Sequence, residues 1–405
     1  MSIVQFVHLS VEVFLSIAAS GLFILALVLL VECIAALFPT IRLTEKEKTL
    51  DELLLNPKVA ILVPAHNEEN VISSTLTNLI STLKPQQQIV TIADNCSDAT
   101  AEIARMTGVK VIERQDLERL GKGYALDYGL QHIANIAPDV VVFIDADCQV
   151  ERDAIAILSE TAMVTGKPVQ ANYLMEKPSQ PNPKSSISAF AFKVKNLVRS
   201  RGMSRLGLPC LLAGTGMAFP WSVIDSIDVA SSDIVEDMKL GLDLSIVGHS
   251  PVFCPEARVI GNLPQNAEAA KSQRTRWEHG HLQTLLTYVP KLVLAGIKQK
   301  RSELFISALD LCIPPLSLLV VFWVSIMFVS LLFYLVTSLW IPLAIAAIAG
   351  CAIAVAILIS WAKFARSDLP LRELLSVPIY ILWKIPLYLK FLIQPQKSWI
   401  RTKRD

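Results

Sequence analysis

Positive charge is missing from the beginning of this sequence, because the first 41 residues contain neither lysine nor arginine. A cleaved secretory signal needs a basic segment before its apolar core, so this absence argues against a cleaved leader. From Val13 to Leu37 the only charged residue is Glu32, and this apolar stretch is long enough to cross a bilayer. We therefore expect residues 1–41 to form an uncleaved transmembrane anchor.

A large net charge is absent as well. The 405 residues carry 37 basic and 36 acidic side chains, which gives a formal net charge of +1. Such a chain has no electrostatic field that would recruit nucleic acid, so nucleic acid is not an expected partner. The seven cysteines contain no Cys-x-x-Cys pair. They indicate free thiols in a reducing compartment, which argues against a disulfide framework or a zinc site.

Aromatic residues are few, at 7%, although 53% of the residues are hydrophobic and the mean hydropathy is +0.48. The apolar excess lies at the two ends of the chain. Residues 304–405 are predicted to form a C-terminal membrane region, with spans at about 311–336 and 341–361. Prolines and lysines interrupt residues 374–393, which we expect to be interfacial or re-entrant, with a full span as the alternative. An amphipathic interfacial helix is predicted at 281–303.

Basic residues directly follow the anchor, at Arg42, Lys46 and Lys48. By the positive-inside rule they place the amino terminus outside and the middle of the chain in the cytosol. The charged segment Thr44–Asn56 is a predicted connector. The lipid bilayer is thus an expected partner, and the expected location is the inner or plasma membrane of the cell, in a multi-pass arrangement.

The middle of the chain alternates short apolar runs with helical patterns. Strands are predicted at Val59–Val63, Gln88–Ala93, Val109–Ile112 and from Val140 onwards, with an amphipathic helix at 70–83. This alternation predicts a doubly wound α/β fold with mostly parallel strands. In such folds ligands bind at the carboxyl ends of the strands.

Two carboxylates end the central apolar run, Val140–Asp147. Asp145 and Asp147 stand one residue apart, and such a pair can share a hard cation that also holds phosphate oxygens. The alternative is a turn in which both acids are solvated or cap the next helix.

Polar residues also follow the other predicted strands. Glu68 comes after the first strand and could either line a cleft or complement a helix dipole. Asp94 ends the second strand, where its carboxylate could accept hydrogen bonds from a base or ribose. Lys122 lies between two glycines before a helical stretch and suits a diphosphate, although a solvated loop lysine is the alternative.

Further candidates lie later in the chain. Gly214 and Thr215 belong to a small-residue segment that would let an acceptor sugar approach the backbone, or that forms an ordinary turn. Glu236 and Asp237 either complement a helix dipole or supply a catalytic base. The stretch Ile187–Arg205 has a basic face, either interfacial or simply solvated. A polar loop is predicted at residues 261–272.

The order of these motifs resembles that of the inverting family-2 glycosyltransferases. The motifs are Pro-x-His-Asn-Glu, Ala-Asp-Asn-Cys-Ser-Asp, Gly-Lys-Gly-Tyr-Ala-Leu, Asp-Ala-Asp, Glu-Asp and Gln-Arg-Thr-Arg-Trp. The chain is most similar to membrane-embedded synthases related to cellulose, hyaluronan and poly-N-acetylglucosamine synthases, from about Val59 to about Trp277. The resemblance implies a cytosolic GT-A-type nucleotide-sugar transferase domain at residues 56–280, with a mixed, mostly parallel sheet, flanked by transmembrane helices.

The resemblance also implies a role for each candidate residue on the donor side. Asp94 would hold the uridine portion of a nucleotide sugar, with Glu68 and Lys122 nearby. Asp145 and Asp147 would form the Asp-x-Asp pair, with Mg²⁺ or Mn²⁺ bound on the diphosphate. The usual Asp-Asp-Gly-Ser is Ala-Asp-Asn-Cys here, so one acid and one glycine of the base-binding motif are replaced.

On the acceptor side, Asp237, next to Glu236, would be the general base. Gln273, Arg276 and Trp277 would line the acceptor and diphosphate side of the cleft.

One base and no enzyme nucleophile predict displacement with inversion at the anomeric centre. The implied activity is membrane-bound, metal-dependent transfer from a nucleoside-diphosphate sugar, expected to be a UDP sugar, to a growing polysaccharide or glycan. One alternative is non-processive transfer to a lipid acceptor. The other is a non-catalytic subunit of a polysaccharide synthesis or export assembly. Polysaccharide-export proteins are candidate partners.

Overall fold

A computed structural model describes residues 2–39, 57–178, 182–264 and 266–394. The predicted connector Thr44–Asn56 and the basic residues that set the predicted orientation lie outside these residues. The described strands are β1 Val59–Ala65, β2 Gln87–Asp94, β3 Lys110–Arg114, β4 Val140–Phe143, β5 Gln149–Val150, β6 Val169–Glu176, β7 Met217–Pro220 and β8 Val252–Asn262.

Helices precede, separate and follow these strands. They are α1 Ile3–Ala35, α2 Ile72–Thr82, α3 Thr100–Met106, α4 Lys122–Ile133, α5 Ala154–Thr165, α6 Pro183–Lys193, α7 Ser200–Arg205, α8 Trp221–Ile224, α9 Glu236–Val247, α10 Ala267–Gln299, α11 Ser302–Cys312, α12 Leu316–Thr337, α13 Ile341–Phe364, α14 Leu371–Leu374 and α15 Val377–Ile393. A π-helical segment, Val194–Arg199, joins α6 to α7.

The strands form one mixed sheet in the order β3-β2-β1-β4-β7-β6-β8-β5. The four strands from β3 to β4 are parallel, and β7 runs antiparallel to both of its neighbours. Apolar clusters cover both faces of the sheet, which explains why the central strands are continuously apolar. The predicted α/β fold with a mixed, mostly parallel sheet is confirmed.

Chain order places the carboxyl ends of β1, β2 and β4 next to each other. β1 pairs with β2 on one side and with β4 on the other, in parallel in both cases. The chain therefore leaves β1 towards one side of the sheet and later returns to the other side. This is the kind of position where open α/β sheets form a ligand crevice.

Two element boundaries differ from the sequence prediction. β4 ends at Phe143, whose carbonyl accepts the N–H of Gly216 at 2.9 Å, and Asp145 and Asp147 lie in the following turn. The predicted polar loop at 261–272 is wrong over most of its length. β8 continues to Asn262, and α10 begins at Ala267, where the Asn266 side chain accepts the N–H of Glu268 at 2.8 Å.

Helix α10 is 33 residues long and runs from the Gln-x-x-Arg-Trp motif to Gln299. The predicted interfacial helix at 281–303 corresponds to its second half and is continuous with the motif. Its position relative to a membrane surface stays a prediction.

Three described helices, α1, α12 and α13, are long and apolar enough to cross a membrane. They pack against one another through a shared apolar cluster. Small residues permit close approach, because a side chain at Gly350 of α13 would collide with the ring of Trp323 on α12. Residues 374–393 form most of α15, which is 17 residues long and contains Pro386.

Candidate active site

A cavity of about 330 Å³ opens at the carboxyl ends of β1, β2 and β4. Its walls also include the first turns of α4 and α9, the π-helical segment and the first half of α10. All the predicted site residues except Thr215 line this cavity: Glu68, Asp94, Lys122, Asp145, Asp147, Gly214, Glu236, Asp237, Gln273, Arg276 and Trp277. The fold thus brings together motifs that are up to about half the chain apart.

Thr215 does not line the cavity but holds the backbone of the Asp145–Asp147 turn in place. It is fully buried, and its hydroxyl accepts the backbone N–H of Asp145 at 3.0 Å. The amide of Gln170 donates to the Thr215 carbonyl at 2.9 Å and accepts the N–H of Ala213 at 2.8 Å. The turn is therefore fixed by hydrogen bonds on the side away from the cavity.

The Asp145–Asp147 turn offers ligands for a hard cation. Carboxylate oxygens of both aspartates and the sulfur of Cys148 lie within 4.8 Å of one another. Burial raises the pKa of the Cys148 thiol, and the two carboxylates raise it further, which disfavours the thiolate that a soft metal would bind. The usable donors are then oxygen atoms, which fit Mg²⁺ or Mn²⁺ and do not fit a soft metal.

Lys122 connects the donor-side motifs. Its Nζ lies 2.5 Å from Oδ1 of Asp145 and 3.6 Å from Oε1 of Glu236, and it donates to the Gly214 carbonyl at 2.5 Å. Burial disfavours the charged amine, but the carboxylates of Asp145 and Glu236 outweigh it and raise the pKa of Lys122. Lys122 therefore stays protonated.

The glycine after Lys122 makes this position possible. A side chain at Gly123 would begin 2.7 Å from the carbonyl oxygen of Ser231. The first turn of α4 therefore lies directly against the segment that leads into α9. This contact sets the relative position of Lys122 and the acids at the start of α9.

Glu236 and Asp237 occupy the first turn of α9. A side chain at Gly214 would begin 3.4 Å from Oδ2 of Asp237 and 4.0 Å from Nζ of Lys122, so Asp237 lies on the same wall as Lys122. Burial raises the pKa of Glu236 to about 7. The positive charge of Lys122 lowers this pKa, and the negative charge of Asp237 raises it. The segment after Asp237, ambiguous between helix and strand in the sequence, is helical.

Asp94 lies at the end of β2 and has a partner that the sequence prediction missed. Arg114 donates to its Oδ1 at 2.7 Å, and the Asn95 amide donates to the same atom at 3.1 Å. Burial nevertheless raises the pKa of Asp94. Arg114 ends the neighbouring parallel strand in register with Asp94, a pairing that only the folded sheet reveals.

The Gln-x-x-Arg-Trp motif on α10 forms the opposite wall. The ring of Trp277 lies 5.5 Å from that of Phe192, which packs edge-on against Tyr173 at 5.1 Å. These contacts fix the indole plane while it still lines the cavity. A fixed, half-buried indole can serve as a flat apolar surface for a sugar ring.

The cavity continues beyond the motif towards the apolar helices. Residues at the start of α12, including Pro315 and Ser317, line its far end, together with Tyr380 and Lys384 of α15. Lys384 forms a buried ion pair with Glu278. The sequence prediction treated Lys384 only as an interruption of residues 374–393 and missed this pair, although a lysine within an apolar stretch is a recognisable signal.

The basic face of residues 187–205 is neither lipid-facing nor simply solvated, so both predicted alternatives are wrong for its central residues. Arg199 is buried between Glu32 of α1 and Asp310 of α11. Lys195 lines the cavity, and Lys193 pairs with Asp368. The fold buries this face between the sheet and the apolar helices.

The fold and the cavity are those of a GT-A glycosyltransferase domain. The family described as "Glycosyltransferase like family 2" matches residues 57–280, which is more than half of the chain. The protein therefore belongs to this family, which confirms the family resemblance inferred from the sequence.

Two relatives illustrate the similarity. "Probable glycosyltransferase YdaM" of Bacillus subtilis (strain 168) is 26% identical over 258 residues, covering 60% of this chain and 60% of that protein. "Poly-beta-1,6-N-acetyl-D-glucosamine synthase" of Staphylococcus aureus (strain MSSA476) is 26% identical over 268 residues, covering 61% and 59%. The similarity thus spans about three fifths of the length of these relatives.

Among solved structures, the chain is similar to the mannosyltransferase PcManGT from Pyrobaculum calidifontis in complex with GDP-Man and Mn²⁺. The TM-score is 0.51 at 18% identity, covering 94% of this chain and all of that chain. At this identity the likeness shows the shared fold.

Proposed function

We propose that this protein is a membrane-bound glycosyltransferase that moves a sugar from a nucleoside-diphosphate donor, a UDP sugar, to a growing polysaccharide or glycan. The observation that carries the proposal is a single cavity lined by the Asp145–Asp147 pair, Lys122 and Asp237. A pair of carboxylates for a cation, a fixed ammonium group and a further carboxylate are the groups that this reaction needs.

On the donor side, Asp145 and Asp147 would hold Mg²⁺ or Mn²⁺. The carboxylate oxygens of the two aspartates support this assignment, and PcManGT was solved with Mn²⁺ and a nucleotide sugar. Such a cation, when bound, neutralises charge on a departing diphosphate. Lys122 and Arg276 would contact phosphate oxygens, while Asp94, held by Arg114, would accept hydrogen bonds from the base, with Glu68 close by.

On the acceptor side, Asp237 would accept the proton of the attacking hydroxyl as the new glycosidic bond forms. Direct attack by the acceptor, without an enzyme nucleophile, would invert the anomeric centre. Glu236 would help to hold Lys122 in place, and Gly214 would leave room beside Asp237. Trp277 would stack on the acceptor sugar, with Gln273 beside it.

The membrane helices would form part of the acceptor path. The cavity reaches the start of α12 and the middle of α15, which supports an acceptor that leaves or arrives on the membrane side. The same feature favours transfer to a lipid acceptor as the second candidate. We place the catalytic domain in the cytosol, and labelling a cysteine introduced at the exposed Met106 from each side of a vesicle tests this orientation.

The test is turnover of nucleotide sugars by the purified full-length protein, with Mn²⁺, with Mg²⁺ and with a chelator. We expect metal-dependent turnover, and we expect Asp237→Asn to reduce transfer by about 10²-fold or more, because the attacking hydroxyl loses its base. Asp225→Asn is the matched control, since Asp225 is exposed and lies outside the cavity lining. Absence of turnover with every donor tried, together with full function of Asp237→Asn in cells, would instead favour the non-catalytic subunit.

A further inference from the structure

Lys195 is a cavity-lining cation whose ammonium group has no bonded partner in the described part of the chain. The two other lysines of the cavity wall are each paired, Lys122 with Asp145 and Lys384 with Glu278. No hydrogen bond or ion pair joins the Lys195 ammonium to any residue in the described ranges, although its side chain lines the cavity. An amine in a largely enclosed space without a partner indicates a ligand that supplies one.

The backbone around Lys195 is held firmly. Lys195 belongs to the π-helical segment between α6 and α7, and such segments are uncommon and frequent at functional sites. Four residues later, Arg199 is clamped by Glu32 and Asp310. α7 then packs so closely on α1 that a side chain at Gly202 would overlap the Glu32 carbonyl.

Lys195 lies on the side of the cavity where Arg199 contacts α1 and α11. It also lines a small adjoining pocket together with Arg199 and Asp310, which Lys122 does not reach. Asp237 acts electrostatically on both lysines. Lys122 is thus the cation near Asp237 on the Asp145 side, and Lys195 is the cation near Asp237 on the side of the apolar helices.

We propose that Lys195 is an acceptor-binding residue, whose ammonium group donates a hydrogen bond to an acceptor oxygen close to the hydroxyl that Asp237 deprotonates. This inference rests on the proposed transferase function. It adds a cation on the acceptor side to a site whose other assigned cations serve the donor. Binding there would orient the reacting hydroxyl towards Asp237.

The charges around Lys195 favour a neutral hydroxyl over a phosphate. Three carboxylates act on Lys195, those of Asp237, Asp310 and Glu278, against one cation, Arg199. Of these three, Asp310 and Glu278 are already paired with Arg199 and Lys384, which leaves Asp237 as the carboxylate that would repel a phosphate next to Lys195. A sugar hydroxyl of a glycan terminus meets no such repulsion.

The test uses the full-length protein with Mn²⁺ and with the nucleotide sugar that supports turnover. Its acceptors are neutral tetrasaccharides of glucose or of N-acetylglucosamine and, separately, a polyprenyl phosphate. We expect Lys195→Met to raise the KM for the tetrasaccharide about tenfold or more while the donor KM stays unchanged, and Lys195→Arg to recover most of the loss. Lys193→Met is the matched control, because Lys193 lies on the same helical stretch but pairs with Asp368 outside the cavity lining.

An unchanged acceptor KM in Lys195→Met, in a preparation whose transfer is abolished by Asp237→Asn, would overturn this inference and leave the proposed function standing. Transfer to polyprenyl phosphate alone, impaired by Lys195→Met, would overturn the assignment of a neutral acceptor. A wild-type protein that turns over no donor would overturn both the inference and the proposed function.

Discussion

At the scale of single residues, burial changes the charge of groups that the sequence shows only as acids and bases. Glu236 lies in the first turn of α9, 3.6 Å from Lys122, and burial raises its pKa to about 7. Lys122 stays charged because carboxylates surround it. The site therefore contains one carboxyl group that changes its charge near neutral pH.

The raised pKa of Glu236 predicts a pH dependence of stability. An exposed glutamate titrates near 4.5, so between that pH and about 7 the folded protein keeps a proton that the unfolded chain releases. The stabilisation by Glu236 is complete below about pH 4.5 and is lost as the pH rises through about 7. In the metal-free protein, Glu236→Gln should therefore gain thermal stability relative to wild type between about pH 5 and pH 8.

Thermal unfolding in detergent at several pH values measures this difference. Glu256→Gln, at an exposed position, should follow the wild-type curve. If the unfolding temperatures of wild type and Glu236→Gln changed with pH in parallel, the raised pKa of Glu236 would be contradicted.

Three of the predicted site residues could be placed from the strands alone. Asp94, Asp145 and Asp147 come at the ends of apolar runs, so their place at the edge of the sheet follows from the strands themselves. Lys195 and Arg114 could not be assigned in this way. Their significance depends on which elements pack beside them, and a basic stripe on a helix looks the same in sequence whether it faces water or a cavity.

At the scale of elements, the docking of α15 on α10 closes the far end of the cavity. Lys384 pairs with Glu278, the ring of His279 bonds to the Leu387 carbonyl at 3.1 Å, and the hydroxyls of Ser317 and Tyr388 lie 2.5 Å apart. These contacts begin one residue after Trp277. α15 therefore supports the wall that carries the Trp277 ring.

Removing one partner of the buried pair should be costly. We expect Lys384→Met to destabilise the protein by about 3–5 kcal/mol, because Glu278 would be left buried without a counterion. The double variant Lys384→Met with Glu278→Leu should recover much of that loss, since no unpaired charge remains. Thermal unfolding in detergent measures both, with Lys390→Met on the exposed face of α15 as the control. A double variant less stable than Lys384→Met would contradict this account.

The elements themselves were predictable where the pattern was strong. The central strands are short apolar runs, and their positions in the structure agree with the sequence prediction to within a few residues. The start of α10 was missed although its signal was present, because Asn266 before Ala267 and Glu268 is a typical helix cap. The helical form of the residues after Asp237 was not predictable, because their apolar pattern fits both a helix and a strand. Packing against the rest of the fold decides between the two.

At the scale of the whole molecule, the transferase domain and the apolar helices are joined through buried charge. Arg199 of the domain contacts Glu32 of α1 and Asp310 of α11. The cavity crosses the same boundary, from the ends of β1 and β4 to the start of α12. Apolar helices that share a cavity with the site do more than hold the domain in place, so we expect the acceptor to meet them.

The central claim is that donor and acceptor chemistry are divided within one cavity, between the Asp145–Asp147 pair and Asp237. Equilibrium binding of the nucleotide-sugar donor, measured with Mn²⁺ beside transfer in the same preparation, tests this division most directly. Asp147→Asn should lose most metal-dependent donor binding, whereas Asp237→Asn should bind the donor like wild type and transfer sugar more slowly by about 10²-fold or more. Equal loss of donor binding in both variants, or wild-type transfer by Asp237→Asn, would contradict the account.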